Sequence, residues 1–140
     1  MELGDGVLRD ECLVQSIRKS LIPNVLILNL QCQGSNVELD LLRELLVVSE
    51  GGKAKYLLSR EKPEYDERRD FVAWGYVIGK KVVDAGSPPH QGKRQKLIVS
   101  LWGYMVMIES GENINNCFNV MDKVYFKLSP AGSEPQQATG

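Results

Sequence analysis

The sequence predicts a mainly β domain with a few short helices (α+β), packed as an antiparallel β-sandwich or a partly open barrel. Three observations lead there. Segments with strand-like alternation outnumber those with helical spacing, no regular strand–helix–strand order would build a parallel nucleotide-binding sheet, and Gly or Pro interrupts the apolar runs at short intervals. At 140 residues, with 43% hydrophobic and 25% charged side chains, the chain fits one domain. A chain this long buries a little under ~70% of its unfolded surface, so a self-sufficient core is expected without a disulfide frame.

Along the chain, Leu13, Val14, Ile17 and Leu21 fall at helical spacing after the Gly4–Gly6 stretch. They predict a short amphipathic helix or mobile arm over residues 1–23, ended by Pro23. A single globular domain is expected over 24–129. It opens with a strand in which Leu26, Leu28, Leu30 and Cys32 alternate with Val25, Ile27, Asn29 and Gln31 before Gly34 breaks the run. Ser35 to Glu38 has capping-box spacing and precedes Leu41, Leu42, Leu45 and Leu46, so 36–48 reads as a helix or a helical turn leading into a strand, although Val47–Val48 would also suit a strand throughout.

A short strand follows Gly51–Gly52. The stretch 61–70, with five acids, three bases and Pro63, reads as a solvated loop. Two long strands, Asp70 to Asp84 and Lys96 to Glu109, flank a turn-rich separator and form an antiparallel pair. Both carry the tripeptide Trp-Gly-Tyr, at Trp74–Tyr76 and Trp102–Tyr104, which reads as coincidence in two β-prone strands. A glycine between two aromatics predicts a bulge or close backbone packing. Residues 110–121 read as a loop entering a short helix with Ile114, Phe118 and Met121 on one side. A final strand, Lys123 to Leu128, precedes a tail, 130–140, expected to be disordered.

Chemistry is sparse. His90 lies between Pro89 and Gln91 in a turn-rich loop, where a general base would lack the second group that orients its ring. Glu64, Asp66, Glu67 and Asp70 are interspersed with Arg68 and Arg69 and have no apolar neighbour to raise a pKa. There is no Walker loop, no strand followed by GxGxxG and no HExxH. Cys12, Cys32 and Cys117 are widely spaced without a CxxC pair, which argues against a zinc site and predicts reduced, buried thiols. No enzyme activity, metal or cofactor is expected. The mixed polar and apolar start predicts no signal peptide, and the apolar runs are too short for a transmembrane helix.

Charge is informative in its distribution. The net charge is -1, yet residues 1–50 hold four bases and eight acids while residues 51–127 hold thirteen bases and nine acids. The bases cluster as Lys53/Lys55, Arg60/Lys62, Arg68/Arg69, Lys80/Lys81 and Lys93/Arg94/Lys96. Gathered at one sheet edge they would make a patch for phosphate groups of RNA or anionic lipid, whereas dispersed they would serve solubility. Trp74, Tyr76, Trp102 and Tyr104 are either core residues or contact surfaces, stacking on bases or anchoring at a bilayer.

The segment GENINNCFNVMDKVYFKL (111–128) and the tail SPAGSEPQQATG (129–140) resemble the end of bornavirus matrix proteins, and SLIPNVLILNLQCQGS (20–35) resembles that family's first strand. The likeness covers about half the chain and lacks a counterpart for the Trp-Gly-Tyr tripeptides. It implies a viral matrix protein of a non-segmented negative-strand RNA virus, with a sandwich fold like the amino-terminal domain of filovirus matrix proteins. It also implies a homo-oligomer, a tetramer, beneath the envelope of the virion in the host cytoplasm or nucleus, with anionic membrane and RNA or the viral ribonucleoprotein as partners. The basic clusters would supply the membrane- and RNA-binding face. The alternative class is a single-stranded nucleic-acid-binding module of OB-like type, using the same bases with the Trp and Tyr rings as stacking platforms.

Overall fold

The computed structural model describes residues 1–84 and 92–131. Its strands are β1 (Glu2–Gly4), β2 (Val7–Lys19), β3 (Val25–Cys32), β4 (Asn36–Leu42), β5 (Lys53–Ser59), β6 (Phe71–Asp84), β7 (Lys93–Leu101), β8 (Tyr104–Ser110) and β9 (Lys123–Pro130). Two short 3-10 turns, Arg43–Leu45 and Ile114–Asn116, are the only helical elements among the described residues. All neighbouring strands are antiparallel, in the order β2-β3-β4-β8-β7-β6-β9-β5, and β5 pairs back onto β2. The sheet is therefore an eight-stranded closed barrel, with β1 added beside the start of β2.

Alternation decides which side chains fill it. On β5, Ala54, Tyr56 and Leu58 point inward while Lys53 and Lys55 face water; on β9, Val124, Phe126 and Leu128 do the same between Lys123, Tyr125 and Lys127. Residues 111–122 cross one mouth of the barrel from β8 to β9. Ile114 and Phe118 from this crossing are fully buried, the latter contributing about 1.5–3 kcal/mol by leaving water. Backbone bonds from Gly6 to the Cys117 carbonyl and from Met121 to the Val77 carbonyl seat the crossing.

Several expectations are corrected. The helix or arm expected before residue 23 is strand: Leu8, Asp10, Cys12 and Val14 alternate inward, and a bulge between Val14 and Ser16 then shifts the phase. That shift is what made Leu13, Val14 and Ile17 resemble a helical stripe. Residues 36–48 run strand first and 3-10 turn second, because β3 and β8 pair on either side of β4. The single strand expected over 96–109 is two strands joined at Trp102–Gly103, and the helix near 114–121 is only one 3-10 turn, with Met121 exposed.

Cys12 and Cys32 are not free thiols. They stand directly opposite on β2 and β3 and form a disulfide, leaving Cys117 as the free, buried cysteine. Widely spaced cysteines say nothing about registry until the strands pair, which is why the bond is not visible in the sequence. His90 and residues 132–140, which include most of the expected tail, lie outside the described residues.

Candidate functional site

The two Trp-Gly-Tyr tripeptides meet on the outer wall. Gly75 lies in mid-strand on β6, and a methyl group added there would overlap the Ser100 carbonyl of β7, so glycine permits the close approach of two backbones. A bulge follows between Val77 and Gly79. Gly103 instead belongs to the two-residue turn between β7 and β8, with positive φ at both Trp102 (58°) and Gly103 (97°). This is the type I′ pattern that normally selects Asn-Gly, and a tryptophan in its first position is held in a left-handed conformation that bulky residues avoid.

The turn carries Trp102 back over β6. Its ring meets Trp74 edge-on, with centroids 4.7 Å apart at 86°, and Trp74 in turn meets Tyr76 edge-on at 6.0 Å. Tyr76 pairs with Lys123 across β6 and β9, and Trp74 with Tyr125, so all four side chains share the outer face. The Lys123 ammonium sits 4.4 Å from the centre of the Trp74 ring and 5.5 Å from that of Tyr125. Trp102 is 68% exposed and Tyr76 is exposed, whereas Trp74 is half-buried and Tyr104 packs against the core. Lys123 and Tyr125 were not singled out from the sequence, although alternation through Lys123–Leu128 already placed both on the face opposite Val124 and Phe126.

The expected basic residues occupy different parts of the surface. Lys53 and Lys55 project from β5, with Leu13 and Glu11 opposite them on β2. Lys62, Arg68 and Arg69 lie in the loop between β5 and β6, where Arg69 donates to the Pro130 carbonyl. Lys80 donates to the carbonyls of Asn115 and Phe118, tethering the mouth crossing. Lys81 and Lys96 are cross-strand neighbours on β6 and β7. Lys93 pairs with Asp84, and Arg94 with Glu109, both at 2.9 Å.

Arg60 is structural. Its guanidinium bridges Asp122 at 2.9 Å and Asp5 at 3.0 Å, and lies over the Phe118 ring. Hydrogen bonds to those two carboxylates raise its pKa further. Asp122 is correspondingly held below the usual carboxylate range, first by the Asn119 amide and then by Arg60.

A second polar group lies in the barrel interior. Buried Asp10 accepts from the amides of Glu11 and Gly34 and from Ser35 Oγ. Because the Ser35 proton goes to that carboxylate, the Tyr56 hydroxyl must be the donor in the 2.7 Å contact with Ser35. Burial pushes the Tyr56 phenol up, a trend that the Ser35 contact partly offsets, and burial likewise pushes up the Cys117 thiol. The nearby cleft of about 420 Å³ is lined by Arg9, Lys55 and Lys127 together with Glu2 and Glu11, a wall of both signs. Inside the barrel, Asp10, Ser35 and Tyr56 thus form one hydrogen-bonded group.

The structure is thus a closed antiparallel barrel that displays aromatic rings on its outer wall, and among the described residues Asn115 Oδ1 and Ser129 Oγ are buried without a hydrogen-bond partner. The family model for the G subunit of DNA-directed RNA polymerase matches residues 7–131, and the chain belongs to that family. It is 31% identical over 123 residues to DNA-directed RNA polymerase subunit Rpo8 of Sulfolobus acidocaldarius, covering 86% of this chain and 95% of the relative. It is 30% identical over 118 residues to the Rpo8 subunit of Saccharolobus solfataricus, covering 82% of this chain and 86% of the relative.

These matches overturn the bornavirus resemblance, and with it the matrix function, the self-assembled tetramer, the anionic-lipid and ribonucleoprotein partners and the virion location. Within the described residues, the segments that carried the resemblance are β3 and the crossing that leads into β9, whose proline, glycine and alternating apolar residues any antiparallel barrel supplies. The free-standing nucleic-acid-binding alternative came nearer in architecture but identified neither the family nor the assembly.

Proposed function

We propose that the chain is a non-catalytic subunit of a DNA-directed RNA polymerase and contributes a rigid contact surface rather than a reacting group. The observation that carries this reading is the extent of the family match: residues 7–131 include every strand of the closed ring, β2 to β9. The match thus spans the whole scaffold rather than one segment of it. The arrangement of polar groups supports the non-catalytic part, since Asp10, Arg60 and Lys80 are each taken up by fixed partners in the fold.

Polymerase depleted of this subunit, mixed with the purified chain and resolved by size-exclusion chromatography, tests the reading. The chain should co-elute in a one-to-one ratio, and alone it should extend no primer or transcript. Elution of the chain as a separate species under conditions that preserve the polymerase would refute it.

A further inference from the structure

Lys123 is the one cation of the outer aromatic wall, and among the described residues it has no carboxylate within ion-pair distance. Nearby charges are otherwise engaged: Asp122 by Arg60, and Lys80 by backbone carbonyls. Two aromatic faces fix the ammonium in place, so an incoming anion would meet a charge already positioned. Beside it, Trp102 presents its ring from a backbone conformation that asparagine or glycine would adopt more easily. An exposed tryptophan kept in a disfavoured turn, set edge-on against a second tryptophan and beside a lysine with no carboxylate in ion-pair distance among the described residues, has the composition of an interface hot spot.

We propose that the wall formed by Trp102, Trp74, Tyr76 and Lys123 anchors the chain in its assembly. Its occupant is a segment of a neighbouring polymerase subunit that offers a carboxylate to the Lys123 ammonium and lays an adjacent apolar side chain on Trp102. The proposal rests on the polymerase reading and adds the site and the chemistry of the partner. Charge complementarity favours an acidic–apolar polypeptide. A nucleic-acid backbone would call for several free cations in a row, and this wall supplies one.

Trp74 and Trp102 are the only tryptophans of the chain, so 5-fluorotryptophan labelling reads this wall alone by fluorine NMR. On addition of polymerase depleted of the subunit, both resonances should shift or broaden. Trp102→Asn and Lys123→Glu, checked by thermal melting, should weaken retention by the polymerase about tenfold or more, as loss of a hot-spot contact does. Lys123→Met, which keeps the packing on the rings, should weaken it too and remove part of its salt dependence.

Retention of all variants at the wild-type level, or retention with unmoved resonances, would overturn the anchor while leaving the polymerase reading intact. Failure of the wild-type chain to be retained would overturn both. A shift produced by single-stranded oligodeoxythymidylate, and not by the polymerase, would overturn the assignment of a polypeptide occupant.

Discussion

At the scale of residues, one tripeptide does two jobs. Trp74–Gly75–Tyr76 runs through a strand, and its glycine is there because the Ser100 carbonyl leaves no room for a side chain. Trp102–Gly103–Tyr104 reverses the chain, and nothing crowds Gly103, whose glycine instead answers a φ of 97°. The two should therefore respond differently to the same change. Gly75→Ala forces backbone apart between β6 and β7 and should cost about 3 kcal/mol or more, at the upper end of overpacking. Gly103→Ala meets open space and carries only the left-handed penalty, about 1–2 kcal/mol. Urea unfolding of both variants measures the difference, and equal losses would contradict the two roles. The sequence announced that each glycine was special, but the alternative of bulge or close packing covered Gly75 and not the turn at Gly103.

At the scale of elements, strand content and the charged loop over 61–70 were legible because strict alternation survives on β3, β5 and β9. What was hidden depends on pairing. The phase shift near Gln15 on β2 imitates a helix until β3 defines a register, and the turn at Trp102 is invisible when its first residue is one of the least suited to it. Three of the four members of the proposed docking wall were legible: Trp74, Tyr76 and Trp102 were named, whereas Lys123 joins them only through the β6–β9 register. The β2–β3 disulfide has the same character, set by a cross-strand pairing of Cys12 with Cys32. It predicts that unfolding the purified chain in denaturant without reductant exposes one titratable thiol, that of Cys117, and that reduction exposes three. Three thiols before reduction would show the bond to be missing.

At the scale of the whole molecule, the ion pairs of Arg60 link the β1–β2 turn, the end of β5 and the mouth crossing. Asp122 titrates below its ordinary range when folded, because the Asn119 amide and Arg60 favour its charged form. Its contribution is then complete above the unfolded carboxyl pKa of about 4 and disappears as pH falls through the lower folded value. Asp70 adds in the same direction; burial works against its ionisation, but the Asp66 amide and other hydrogen bonds outweigh it. Stability measured by thermal melting should thus decline on acidification below about pH 4, and Asp122→Asn, which can still accept from Asn119, should make that decline shallower. An unchanged acid limb would remove Asp122 from the account.

Ring closure has a consequence for biosynthesis. β9 sits between β5 and β6, joining residues 54–59 and 71–76 across a gap that no other strand bridges. Every other stave of the barrel leaves the ribosome before it does. A nascent chain stalled ahead of Lys123 carries two bare backbone ladders side by side, open to pairing with any passing strand, and becomes safe from that fate only when its keystone drops into place.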